Sequence, residues 1–350
     1  MPWSRSVLVA LALLALGAAP VLAAPPAAVD AARAEHLRIV RFWTPERLAS
    51  AMPRDFVLTR TGFAPAAKPP GTPGGPGGGG GGGSSSTVTG ASWTKGGAVV
   101  NGVGKVYFMM GGSAYQCSGS VAADSRNGYS LVLTAGHCAF DESAGEFASN
   151  WIFIPAWGSA PVGFQGVDCS QYGSTSFGCW TKQALVVHRG YATAGGFNDQ
   201  ATRYDFAFAV VGPGGKGGSV PAQLDQAVPT FSLVSPIGTN LLNQRVYAFG
   251  YPAAGKYKGN TLTYCAGNAI TDQYNDDDTW GLGCDMTGGS SGGPWFHGFT
   301  ESSGSGALAS LNSYGYSGVK NMYGPKFNAD TQAVYNAANS SATTGDTIVP

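Results

Sequence analysis

Charge is scarce in this chain: only 11% of its 350 residues carry it, and 20 basic side chains are matched by 20 acidic ones. A formal balance of zero leaves no electrostatic surplus for a nucleic acid or an anionic membrane surface, which excludes both as charge-driven partners. Apolar runs are short everywhere after the N-terminus. None approaches the roughly 18 residues that a membrane-crossing helix needs. No two cysteines stand in the close C-x-x-C spacing of zinc ligands, so no metal is expected, and no cofactor motif is present. Histidine is scarce as well. His36, His137, His188 and His297 are the only four, which leaves few choices for a base.

What is present begins with a targeting signal. Arg5 precedes the apolar run from Val7 to Leu16, and the stretch ends in Val21-Leu22-Ala23-Ala24, small residues of the kind a signal peptidase requires. Residues 1–23 therefore read as a cleaved secretory signal, and the mature protein is expected to be secreted, extracellular and free of the membrane. Six cysteines suit that compartment, because an even number permits full pairing where disulfides persist. Of the connectivities that six cysteines allow, sequence neighbours are favoured: Cys117 with Cys138, Cys169 with Cys179, and Cys265 with Cys284, each closing a short loop.

Residues 24–67 have a different character, with charge concentrated between Ala31 and Arg60, and Thr44-Pro45-Glu46 has the composition of a helix start. This region reads as a pro-segment rather than as part of the enzyme core. Residues 68–90 hold Pro-Pro, Thr-Pro-Gly-Gly-Pro and a run of glycines from Gly77 to Gly83. Such a composition buries too little apolar surface to fold, and as a coil of about 20 residues it reaches on the order of 25 Å. From 91 to 339 the periodicity is that of strands: Lys105 to Met109, Tyr115 to Val121, Ser130 to Thr134, Trp151 to Ile154, Phe206 to Val211 and Arg245 to Phe249, with turn residues between them. Asn127-Gly128 marks a tight hairpin. The single amphipathic helix of this region falls at Asp330 to Ala338, and residues 340–350 read as a tail. The fold class is all-β, a barrel or sandwich.

Acyl transfer to water needs a nucleophile, a base, a group that orients the base, and donors for the oxyanion. In Thr287-Gly288-Gly289-Ser290-Ser291-Gly292-Gly293-Pro294 a serine is enclosed by glycines that let the backbone turn sharply and gather N–H groups in one small space. Ser291 is the candidate nucleophile, with the N–H groups of Gly289 and Ser291 as the hole, where losing one donor costs about 10²- to 10³-fold in rate. The candidate base is His137, in Thr134-Ala135-Gly136-His137-Cys138. Asp205, in Tyr204-Asp205-Phe206-Ala207-Phe208, is the candidate orienting acid, because a carboxylate among apolar strand residues needs a partner such as an imidazole N–H. Asp199 is the rival, in a polar stretch. Chain order separates two frameworks. The G-x-S-x-G pattern of α/β-hydrolases demands an acid and then a histidine after the serine, whereas only His297 follows Ser291, with no Asp or Glu between them.

These three ordered motifs resemble the chymotrypsin-like serine peptidases, whose triad runs His, Asp, Ser, and the resemblance extends from about Trp93 to Asn339. Gly250-Tyr251-Pro252 and Cys284-Asp285-Met286-Thr287-Gly288-Gly289 are similar to the secreted bacterial and fungal enzymes of the glutamyl-endopeptidase kind. The resemblance implies two packed six-stranded antiparallel β-barrels, the first over about 91–215 and the second over about 235–339, and a serine endopeptidase acting on polypeptides through an acyl-enzyme. It also implies substrate-binding roles for Asp285, Ser313 and Gly315. Asp285 stands where trypsin-like members hold basic side chains, so a preference for Lys or Arg is expected, while Asn312 occupies the place where Glu specificity would want a histidine. Animal relatives have Asp just before the nucleophile, where it pairs with a freed N-terminus. Here that position is Ser290, so the pro-segment is expected to act instead by covering the cleft or aiding folding. A monomer is expected. The competing class is a non-catalytic binding module on the same fold, which typically lacks a triad member; here all three positions are filled.

Overall fold

The computed structural model describes residues 1, 26–59, 62–65, 87–159, 177–215 and 223–350. The expected signal sequence, most of the glycine-rich linker and Cys169 lie outside them. Every strand run picked out by periodicity coincides with an observed strand, the run from Phe206 starting one residue before its strand Ala207–Gly214. Five of these strands and a sixth, Trp180–His188, that the sequence reading did not pick out close a barrel: Val103–Met110, Ser113–Ala122, Ser130–Thr134, Ala207–Gly214, Trp180–His188 and Ser149–Pro155, each antiparallel to the next, with the last returning to the first. Asn127-Gly128 turns between two of them, with Gly128 at φ +82°. The continuous apolar run from Phe206 to Val211 reflects burial on both faces. The barrel interior covers one, and the helix Ala329–Asn339, capped by Asn328, packs on the same strand from outside.

The second unit also has six principal strands, divided between two sheets. Ser305–Leu311, Pro294–Thr300, Arg245–Gly250 and Thr263–Asn268 form one ladder, while Thr279–Gly283 pairs with Asn321–Pro325 in the other. The sheets meet where Thr263–Asn268 packs on Thr279–Gly283 and Ser305–Leu311 packs on Asn321–Pro325. Leu241, Val246, Leu282 and Trp295 fill the space they enclose.

Three expected boundaries are corrected. The linker ends earlier than residue 90, because Val88–Ser92 is a strand that pairs antiparallel with Thr263–Asn268 and so belongs to the second unit rather than the first. Gly90 is needed there: it sits at φ +128°, and a Cβ would come within 2.1 Å of the Asp285 carboxylate. Residues 340–350 are not simply a tail. Thr347–Val349 adds a parallel strand to Trp180–His188, and Asp346 accepts the Leu185 N–H at 2.8 Å.

The largest correction concerns residues 26–59, expected as a pro-segment apart from the core, which instead pack into the first barrel's core. A helix, Pro26–Phe42, precedes the expected one at Pro45–Ser50, whose cap is Thr44. His36, Ile39, Val40 and Trp43 recur at helical spacing and are all buried, and Leu48 follows from the second helix. The Trp43 indole donates to the Asn150 carbonyl at 2.6 Å, and His36 Nδ1 meets Thr181 Oγ1 at 3.0 Å. Burial lowers the His36 imidazole to about 4. Charge along residues 31–60 disguised an apolar stripe only a few residues wide.

Candidate active site

His137 sits in the single turn Gly136–Cys138 that follows the strand Ser130–Thr134. A disulfide from Cys138 to Cys117 ties this turn to the neighbouring strand Ser113–Ala122. The Cys265–Cys284 disulfide is also present, and Cys179 is disulfide-bonded, its expected partner Cys169 lying outside the described residues. Cys117 and Cys138 lie close to the His137 ring, but their sulfurs are joined to each other and do not form a thiolate set for a metal.

Asp205 ends the stretch between the short helix Asp199–Arg203 and the strand Ala207–Gly214. One carboxylate oxygen accepts the His137 backbone N–H at 2.8 Å. The other meets His137 Nδ1 at 2.8 Å and accepts the Ser313 hydroxyl at 2.5 Å. Neither His137 nor Asp205 has any exposed surface. The rival Asp199 lies exposed in the first turn of its helix.

Ser291 is 2% exposed and lies in a loop clamped from both units. Its carbonyl accepts the Ser118 N–H at 2.7 Å, and the Ser118 hydroxyl donates to the Gly289 carbonyl at 2.8 Å. The N–H groups of Ser290, Gly292 and Gly293 are engaged by the carbonyls of Thr287, Asn312 and Ser290. Those of Gly289 and Ser291 have no hydrogen-bonded partner among the described residues, as an oxyanion site requires. Asn312 supports this loop rather than lining a pocket: its amide donates to the Phe249 carbonyl at 2.8 Å and the Ser290 carbonyl at 3.0 Å, and its oxygen accepts the Trp295 indole at 2.8 Å.

The expected substrate-binding residues divide. Ser313 is fully buried and bound to Asp205, so its side chain belongs to the acid's shell. Gly315 lies in the strand Tyr314–Tyr316. Asp285 lines a cleft of about 870 Å³ together with Met286, Tyr316 and Met322. Its carboxylate already meets Lys256 Nζ at 2.7 Å and accepts the Tyr257 hydroxyl, so the expected acceptor for a basic side chain is compensated from within the chain.

Two features were missed by sequence reading. Asp272, fully buried, accepts the hydroxyls of Tyr314 at 2.6 Å and Tyr316 at 2.7 Å, which pins the strand holding Gly315. Asn275 links the same Tyr314 hydroxyl to Thr202 of the first unit, at 3.1 and 2.9 Å. The alternating tyrosines at 314 and 316 were the available signal; Asp272 lies 42 positions from Tyr314. The second is which residue the segment expected to cover the cleft places there. Phe56 stacks on Phe197 at 4.0 Å and stands edge-on to His137 at 5.4 Å, inside the site.

No family model matches the chain, and neither does any curated protein. Solved structures do. Over 70% of its length the chain is similar to a thermostable serine protease, AL20, from an extremophilic microorganism, at 34% identity and a TM-score of 0.56, covering 99% of that chain. It is similar to the protease Anisep from Arthrobacter nicotinovorans at 36% identity and a TM-score of 0.55, over 70% of this chain and 98% of the other. A Glu endopeptidase in complex with MPD shares the fold at 20% identity and a TM-score of 0.50, over 72% of this chain and 97% of its own. With the histidine turn, the buried acid and the glycine-enclosed serine assembled between two β units, the chain belongs to the chymotrypsin-like family of serine proteases.

Proposed function

We propose that this chain is a secreted serine endopeptidase in which His137, Asp205 and Ser291 act as a triad. The observation that carries the reading is the fully buried His137–Asp205 pair, joined at 2.8 Å through both the backbone N–H and the ring. A buried carboxylate with no permanent cation beside it suits a site where positive charge develops on the imidazole. Ser291 attacks the peptide carbonyl as His137 takes its proton. The oxygen of the tetrahedral intermediate is held by the N–H groups of Gly289 and Ser291, the amine leaves with the proton from His137, and water then releases the acyl group. The two placed disulfides support an oxidising, extracellular setting.

The test is labelling with a fluorophosphonate, located by mass spectrometry, on the chain freed of its pro-segment. An adduct at Ser291, lost in both Ser291→Ala and His137→Ala, is the expected result. A folded, disulfide-bonded chain that takes no label would move the binding-module reading to the front.

A further inference from the structure

Residues 51–59 run through the site just described. Met52–Pro53 pairs parallel with Tyr115 and Gln116, and Phe56–Leu58 pairs parallel with Tyr314–Tyr316. The Gln116 amide donates to the Ala51 carbonyl at 2.6 Å, and Arg54 N–H donates to the Gln116 carbonyl at 3.3 Å. Between the two pairings the chain passes directly over His137.

That passage differs from a substrate's in which atom of the site it engages. The Arg54 carbonyl oxygen lies 3.2 Å from His137 Nε2, and no hydrogen bond joins Ser291 Oγ to His137 among the described residues. A carbonyl poised for attack would instead present its oxygen to the N–H groups of Gly289 and Ser291. Nδ1 of the same ring faces the Asp205 carboxylate, so both nitrogens face groups that only accept. Nε2 thus faces a carbonyl instead of the Ser291 hydroxyl, so it is not placed to take the serine proton. The Arg54 side chain reinforces the arrangement from the other side: Nε donates to the His137 backbone carbonyl at 2.7 Å, and the guanidinium lies near Glu142 at 3.5 Å.

The oxyanion loop is shaped for this occupant. A Cβ at Gly288 would fall 2.8 Å from the Pro53 side chain and 3.0 Å from the Asp55 carboxylate, so the segment rests directly on the bare backbone there. Behind it the helices Pro26–Phe42 and Pro45–Ser50 add the buried anchors Val40, Trp43 and Leu48.

We propose that residues 26–59 are an inhibitor of this chain's own cleft, with the helices supplying affinity and the Arg54 carbonyl and Phe56 ring disabling His137 without offering a cleavable bond to Ser291. The inference rests on the peptidase reading above. Because the segment is not presented for attack, it survives as an intact inhibitor after separation and acts on a second molecule as it does on its own.

The experiment uses the whole chain carrying a recognition sequence for an unrelated protease within the glycine run 77–83, and reads the rate at which a fluorophosphonate labels Ser291. Cutting and diluting should raise that rate at least about a hundredfold, since the tether holds the segment at roughly millimolar local concentration. Adding the released segment back should restore slow labelling, and the segment should be recovered uncleaved. In the uncut chain, Phe56→Ala and Trp43→Ala should each speed labelling by about tenfold or more. The cut-and-dilute arm substitutes none of the described residues, so it decides the matter even where a variant misfolds. Equal rates before and after cutting, with the adduct at Ser291, would overturn the inhibitor and leave the peptidase standing. Cleavage of the segment between residues 51 and 59 would overturn the non-productive pose. No adduct in any form would remove the peptidase reading, and this inference with it.

Discussion

Two aspartates drawn from the sequence as site residues stand in opposite electrostatic situations. Asp205 is fully buried and held by an N–H, an imidazole and a hydroxyl, with no lysine or arginine bonded to it among the described residues. Asp285 is 30% exposed and paired with Lys256, itself 61% exposed, and with the Tyr257 hydroxyl. Removing a carboxylate from water without a cation is expensive, and is sustained where a charge arises during chemistry. An exposed ion pair contributes about 0–1 kcal/mol and is screened by salt. The same residue type is thus buried without a cation in one region, as the proposed mechanism requires, and ion-paired near the surface in the other.

The comparison breaks most visibly at Asp205. Asp205→Asn keeps the shape but presents the wrong tautomer to the ring, and kcat on a peptide ester should fall by about 10⁴-fold in the linker-cut chain. Steady-state kinetics within tenfold of the parent would take Asp205 out of the mechanism.

A third carboxylate, Asp55, sharpens the contrast because, if residues 26–59 are the proposed inhibitor, its charge state depends on docking. Burial pushes it up to about 6, against the opposing pull of His137. The docked form therefore holds a proton that the free segment, at about 3.9, gives up more readily. Docking gains from Asp55 at low pH, and that gain is lost as pH rises through about 6. Asp55→Asn should tighten the segment above pH 6, slowing labelling of the uncut chain by roughly tenfold or more, and should change little below about pH 4. His36, lowered to about 4, acts in the opposite direction between there and its ordinary range, but it is common to both chains and cancels in their ratio. A ratio independent of pH would remove Asp55 from the linkage.

Ser313→Ala probes the acid's shell more gently. It deletes one of three donors to Asp205 while leaving His137 in place. A hydrogen bond to a charged group is worth about 1.5–3 kcal/mol, so kcat should fall by roughly tenfold or somewhat more, with KM for a short substrate unchanged. A change confined to KM would return Ser313 to a purely substrate-binding role.

The three candidate residues were legible in the sequence because each lies in a short motif whose chemistry depends on its immediate neighbours: Gly136 and Cys138 about the histidine, an apolar strand after Asp205, and glycines about Ser291. Strands were legible for a similar reason, since alternation and turn residues are local. What escaped was long-range. The contact of Trp43 with Asn150 spans 107 positions, and that of Arg54 with His137 spans 83. Nothing near residue 54 announces that its carbonyl will meet an imidazole. Asp285 shows the converse error: its spacing from Ser291 was read correctly, but its partner Lys256 lies 29 residues earlier and gave no local sign.

The smallest effect is expected at Asp285, and it is the one that bears on specificity. If the carboxylate were the acceptor for a basic side chain, its removal would abolish discrimination between Arg and Leu at the residue preceding the cut. With Lys256 already at 2.7 Å, an arriving cation would have to displace it or share the charge, so little net attraction is left. Asp285→Asn should therefore shift the Arg-to-Leu ratio of kcat/KM by less than about fivefold, the equivalent of an exposed pair's energy. Lys256→Ala offers the complementary perturbation. It frees the carboxylate while keeping it in the cleft, and should raise the preference for Arg by a comparable factor. Collapse of a strong Arg preference in Asp285→Asn, with Lys256→Ala silent, would show that Lys256 gives way to substrate and that the two aspartates are less different than their resting partners imply.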